Sequence, residues 1–264
     1  MSDPPAAATP PERPTGLLGE PNDGRVLEAA IDGVAYLRQP VRTHLVTVDD
    51  DAAEVLTRYA RPLPADTALV AVSERMVAIT QGRSHRMVDI RPGRLARFLV
   101  RFVTRPGYGI GLGTAETMQL AIDEVGTPRI LLAAAVSAVT KPFGVHGMFY
   151  RVAGPQAAAI DGPTSYTIPP YNESATLGPK DPDGAARRLA AAIDTPVAVI
   201  DANDAGCNVL GASPGVDRPL VRRLFADNPL GQAREQTPIA VVRRVEWPAD
   251  QPLPPEPKRR LTPP

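Results

Sequence analysis

Cysteine is nearly absent: Cys207 is the only one in 264 residues, and a lone thiol closes no intramolecular disulfide. An excess of charge of one sign is missing too. Lysine plus arginine number 29 and aspartate plus glutamate number 29, so no global basic field exists to hold nucleic acid or an anionic membrane. Any such binding has to be local. Long apolar runs are also lacking: the longest, "ILLAAAVSAV" at 130–139, is too short to span a bilayer and has the length of a buried strand or core helix. The first residues, "MSDPPAAATPPERPTG", lack the basic-then-apolar order of a signal peptide, and no internal repeat or low-complexity linker interrupts the body. These absences point to a cytoplasmic protein with no membrane span and no nucleic-acid partner.

What is present suits a globular core, with 43% hydrophobic and 22% charged residues. The 31 prolines cluster at the two ends, so residues 1–25 and 247–264 read as disordered tails around a body at 26–246. Within the body, "VRTHLVT" (41–47) alternates like a strand. "DDDAAEVLTRYA" reads as a helix opened by acids, and "TALVAVS" (67–73) as a buried strand. "RMVAITQGR" reads as a strand or edge with a turn at Gly82, and "PGRLARFLVRFVT" as an amphipathic helix with a solvated basic face. "PRILLAAAVSAV" and "VHGMFYRVAG" read as two strands joined by a turn at Pro142 and Gly144. Strands and helices alternate without a uniform βαβ period, which predicts a mixed α/β (α+β) fold of two interleaved lobes.

Three stretches carry candidate chemistry. "PGYGIGLGTAET" sets Gly107, Gly109, Gly111 and Gly113 before a helix capped by Thr114 with Glu116 in its first turn. Such glycines let backbone amides approach an anion, although the spacing is neither the dinucleotide fingerprint nor a Walker A loop; a flexible turn is the equal alternative. Lys141 in the following loop is either within reach of a phosphate or a solvated turn residue. The second stretch, "AAAIDGPTSYTIPPYNES", ends an apolar run in Asp161 and continues into hydroxyls and tyrosines, a pattern suited to a hard cation or phosphate and to a lid or pocket wall built on Tyr166 and Tyr171. The third, "VAVIDANDAG", delivers Asp201 and Asp204 from a strand onto a loop. Asp161 and Asp204 are expected to share a divalent cation, with Asn172, Glu173 and Asn203 completing its shell and Asp201 orienting the others or capping the strand. In "KDPDGAARRLAAAI", Asp181 is expected to cap a helix with Pro182 at its first position.

In this order the segments resemble the γ-glutamyl ligases that act on the deazaflavin coenzyme, the coenzyme F420-0:L-glutamate ligase family, over about residues 41–245. The resemblance is carried by "VTVDDDAAEVL", "DTALVAVSERMVAITQGR", "VHGMFY", "AIDG", "KDPDGAARRLAAAI", "VAVIDANDAG" and "GQAREQTPIAVV". It implies a homodimer and a GTP- or ATP-dependent reaction with Mg²⁺ or Mn²⁺, in which a carboxylate is phosphorylated and glutamate's amine then displaces phosphate. It further implies Asp161 and Asp204 as metal ligands and Ser73, Arg75, Asn172, Gly231 and Gln232 at the nucleotide. Arg75 stands in place of a phosphate-facing lysine, and Arg75 and Lys141 are the candidate catalytic cations. The chain departs from the family pattern at Ile79, Gln81 and Ala205, where the family has a lysine, an acid and a hydroxyl residue. The departures describe a divergent paralogue and keep two alternatives in play, a non-catalytic nucleotide- or small-ligand-binding protein and a metal-dependent phosphohydrolase.

Overall fold

A computed structural model describes residues 20–103, 111–145 and 147–260. Its frame is a mixed six-stranded sheet. The strands, in chain order, are β1 (Glu28–Ile31), β2 (Val34–Val41), β3 (Thr67–Ser73), β6 (Val197–Asn203), β7 (Gly206–Ala212) and β8 (Ile239–Val245), arranged β1-β2-β8-β3-β6-β7. β3 and β6 run parallel and every other neighbouring pair runs antiparallel. A second ladder joins β4 (Ser84–Arg86) to β5 (Ser174–Thr176).

The β3 and β6 runs "LVAV" and "VAVI" are buried on both faces, so the sheet is covered on both sides. On one face α1 (Ala52–Ala60), α2 (Glu74–Thr80) and α8 (Pro182–Ile193) enclose a core with Leu56, Met76, Leu189, Val70 and Val199. On the other, α9 (Arg218–Leu224) and the residues after it close over Ile200, Val221, Leu224 and Phe225. A third core belongs to α3 (Arg94–Leu99), α4 (Ala115–Val125), α5 (Thr127–Thr140), α6 (Met148–Ala153) and α7 (Pro155–Ala158), packed around Leu112, Met118, Ile130 and Ala175. The chain therefore leaves the sheet after β3, builds a helical lobe, and returns through α8 and β6. The fold is mixed α/β.

The local signals for helix starts behave as read. Asp51 accepts from the amides of Ala53 and Glu54, Thr114 closes a capping box with Thr117, and Asp181 accepts from Gly184 ahead of Pro182. Four strand assignments are corrected. "RMVAIT" is helix α2, "RILLAAAVSAVT" lies in α5, and "MFYRVA" is α6. A solid apolar run has no period by which to separate a buried strand from a buried helix, and the alanines of α5 favour the helix. The strand expected at 41–47 is β2, which ends at Val41; beyond it Thr43 donates its amide to Gln236 and the chain turns toward α1. The basic helix at 92–104 is shorter than expected, with α3 followed by a 3₁₀ turn at Val100–Phe102. Residues 1–19 of the N-terminal tail lie outside the described residues. After Glu246 the proline-rich C-terminal stretch makes contacts that composition does not reveal: Ala30 donates to the Pro255 carbonyl and Glu256 accepts from Arg223.

α8 and β7 meet without room for a side chain at Gly211, where an added Cβ would lie 2.0 Å from the Pro182 carbonyl oxygen and 2.8 Å from the Asp183 nitrogen. Both obstacles are backbone, and the Ala212 amide donates to Asp183 at 2.9 Å across the same contact. Gly211→Ala is expected to destabilise the protein by about 1–3 kcal/mol, read as a lower denaturant midpoint, because the helix must move off the strand. An unchanged midpoint would show that this approach is not tight in solution.

Candidate functional site

A cavity of about 590 Å³ opens where the sheet's parallel pair faces the helical lobe, lined by residues of β3, α2, β6, the 158–171 segment and the 230–238 loop. Its chemistry begins with register. Ser73 pairs with Ile200, so Glu74, which leaves β3 to begin α2, comes to lie beside Asp201, which continues β6 opposite Asn208 of β7. That is the position at which open α/β sheets hold ligands. Asp161 comes to the same place from the helical lobe: α7 ends at Ala158, and the Asp161 backbone is clamped to β5 by two hydrogen bonds with Thr176, at 2.9 and 2.8 Å.

The three carboxyls feel one another. Glu74, partly open to the cavity and otherwise enclosed, is pushed well above the ordinary carboxylate range by burial and then by the charges of Asp201 and Asp161. Asp201 is raised by burial and then by Asp161. Arg75 opposes both, and it is the one lysine or arginine among the described residues lining the cavity. Its Nη2 donates to Asp161 Oδ2 at 2.8 Å and its Nη1 to Thr167 Oγ1 at 3.3 Å. The site thus concentrates negative charge against a single guanidinium.

Of the residues predicted from sequence, Ser73, Arg75, Gly111, Asp161, Gly231 and Gln232 line this cavity. Tyr166 and Tyr171 form its wall, with the Tyr171 hydroxyl donating to the Val46 carbonyl at 2.6 Å. Gly113 precedes the Thr114 cap without lining the cavity, and Asn172 lies beside it in the 3₁₀ turn Tyr171–Glu173. Lys141 begins a 3₁₀ turn at the end of α5, away from the lining. Gly107 and Gly109 lie outside the described residues.

The pairing expected of Asp161 and Asp204 is placed differently. Asp204 sits in the two-residue turn between β6 and β7, where its Oδ1 accepts from Arg25 at 2.8 Å and its amide donates to Gln232 Oε1 at 3.2 Å. It is not a lining residue; Asp201, assigned from sequence to a capping or orienting role, is the acid facing Asp161. Sequence reasoning missed Glu74 entirely. The signal was there, since "TALVAVSE" and "VAVID" are both apolar runs followed by an acid, but only the parallel register shows that the two acids are neighbours. The apolar run before Asp161 begins in α7, which Pro155 opens and which ends at Ala158.

Among the described residues no group of three or more His, Cys, Asp and Glu side chains is arranged to hold a metal ion by itself. Mg²⁺ does not require such a cage: it is commonly held by one or two carboxylates together with substrate phosphates. Asp161 and Asp201 offer that partial donor set: both carboxylates line the cavity, Asp161 paired with Arg75 and Asp201 more deeply placed in β6. No protein-family model matches the chain, and no curated protein matches it.

Proposed function

We propose that the chain is a nucleotide- and divalent-metal-dependent ligase that forms an amide between an amino acid, glutamate or a close analogue, and a carboxylate acceptor. Its fold and reaction would be those of the F420 γ-glutamyl ligase group. The observation that carries the reading is the convergence of Glu74, Asp161, Asp201 and Arg75 where β3 ends beside β6, in a cavity large enough for a nucleotide's phosphates and an acceptor.

Asp161 and Asp201 would hold Mg²⁺ or Mn²⁺, which when bound neutralises the triphosphate of GTP or ATP and polarises its terminal phosphoryl group. Arg75 is the residue placed to bind phosphate oxygens, as a planar donor that engages two of them. Gly231 and Gln232 supply one wall, and the 164–171 segment with its two tyrosines supplies another that excludes water from the acyl phosphate. The acceptor carboxylate takes the phosphoryl group; the amine then attacks the acyl carbon, phosphate leaves and the nitrogen gives up a proton. Cytoplasmic placement and a homodimer belong to the same proposal.

Incubating the purified protein with GTP or ATP, Mg²⁺ or Mn²⁺, glutamate and the deazaflavin precursor is expected to release phosphate in step with an amide product detected by mass spectrometry. Absence of phosphate release with any acceptor tried removes the catalytic claim, and phosphate without amide identifies a hydrolase instead.

One observation favours the non-catalytic reading. Ile79, standing where the family has a lysine, lines the cavity and is buried, and Gln81, standing for an acid, exchanges hydrogen bonds with the Lys180 backbone at 2.7 and 3.1 Å. Both positions are given to packing and loop structure. Calorimetric binding of nucleotide without turnover would select that reading.

A further inference from the structure

Arg75 is engaged by the acid that the ligase reading needs for metal. Its guanidinium spans two parts of the helical lobe, with one nitrogen on the Asp161 carboxylate at 2.8 Å and the other on the Thr167 hydroxyl at 3.3 Å. Its charge also acts on Glu74 and Asp201, so one arginine serves as counter-ion to all three acids. A divalent ion approaching Asp161 meets a cation already there.

We infer that Arg75 is a place-holding cation: it occupies Asp161 until nucleotide phosphate draws it away, so that nucleotide and metal bind together and metal alone binds weakly. The inference rests on the ligase reading and adds to it an order of binding and a positioning role for Arg75. The exchange is energetically modest, because the Arg75–Asp161 pair is half exposed, at 32% and 57%, and exposed pairs contribute only ~0–1 kcal/mol. Phosphate is the better partner for a guanidinium, which it can meet through two parallel hydrogen bonds. When Arg75 swings to phosphate, Asp161 regains a free carboxylate beside Asp201, and the ion gains both acids together with the phosphate oxygens. Such coupling is reciprocal, so metal must strengthen nucleotide binding by the same factor.

The test titrates Mn²⁺ into the full chain, followed by the loss of free-ion electron paramagnetic resonance signal, with and without a non-hydrolysable GTP or ATP analogue. For the native protein, the analogue is expected to tighten Mn²⁺ binding by about tenfold or more, the usual range of such coupling. Arg75→Gln, which leaves three acids without their cation, is expected to tighten Mn²⁺ binding in the absence of nucleotide by about tenfold and to reduce the further tightening by nucleotide to what the phosphate oxygens alone supply. Arg75→Lys, which keeps the charge, is expected to return Mn²⁺ affinity toward the native value. A merely structural role for Arg75 would loosen the site, not raise its affinity for metal; circular dichroism confirms that each variant is folded.

If the native protein binds Mn²⁺ equally well with and without the analogue, or Arg75→Gln leaves Mn²⁺ affinity unchanged, the place-holding role is overturned while the ligase reading stands. If the native protein binds neither Mn²⁺ nor either analogue, the ligase reading falls and takes this inference with it.

Discussion

Arg38→Met is expected to destabilise the protein by about 3–5 kcal/mol, the usual result of removing one partner from a buried charged pair. Arg38 lies on β2, is 1% exposed, and distributes its donors over four backbone carbonyls and one carboxylate. It reaches the Leu224 carbonyl at 2.6 Å and the Val26 carbonyl at 2.9 Å, and its ion pair with Asp227 closes at 2.5 Å. Methionine fills much of the volume and supplies no donor, so the carbonyl ending α9 and the carbonyls of the strand-entry segment lose partners that water cannot replace. Each buried group left unsatisfied costs about 1–3 kcal/mol. Because total stability is about 5–15 kcal/mol, the variant stands near the limit of folding. Asp227 also begins the turn that leads to Gly231 and Gln232, so any folded fraction should bind ligand in the cavity less well. Urea unfolding of both proteins measures the change, and a difference below about 1 kcal/mol would mean that Arg38 is solvated in solution.

Asp201→Asn is expected to move stability the other way and to remove ligand binding. Asparagine has the same shape and no charge, so burial no longer penalises an anion and the repulsion with Asp161 and Glu74 falls. A rise of ~2–4 °C in the unfolding midpoint corresponds to about 1 kcal/mol in a chain of this size class. The difference should depend on pH. A carboxyl whose folded-state pKa lies above its unfolded value binds its proton more tightly when folded, so the native protein recovers stability as pH falls from neutral through that raised pKa toward the ordinary carboxylate value. The gap between variant and native protein is therefore largest at neutral and alkaline pH and closes on acidification. At the same time Asp201→Asn removes one of the two carboxylates proposed to hold the metal and, on that proposal, should abolish metal-dependent nucleotide binding. A variant that is no more stable at pH 8, with a gap that does not narrow by pH 5, would show that Asp201 is not held in an acidic, desolvated cluster.

The sequence by itself determined the helix caps, the buried strands and the acids at the end of apolar runs. Asp51, Thr114 and Asp181 satisfy amides only two or three residues ahead, and "TALVAVS" and "VAVI" are short apolar runs bounded by polar residues, so both signals are local. Asp161 could be picked out because it ends an apolar run in its own segment, whereas Arg75, Gly231 and Gln232 were picked out only through the resemblance to a ligase family. What α2, α5 and α6 would become was not readable, since an unbroken apolar stretch is compatible with either periodicity until the lobe around it decides which face it must bury. Nor could a single sequence choose Asp201 over Asp204, three residues apart. That choice was made by the parallel pairing of β3 with β6, which puts Glu74 next to Asp201, and by Arg25, which arrives from beyond the other end of the sheet to neutralise Asp204. Charge compensation between residues far apart in the chain is a property of the folded surface, and only the tertiary structure assigns each acid its partner.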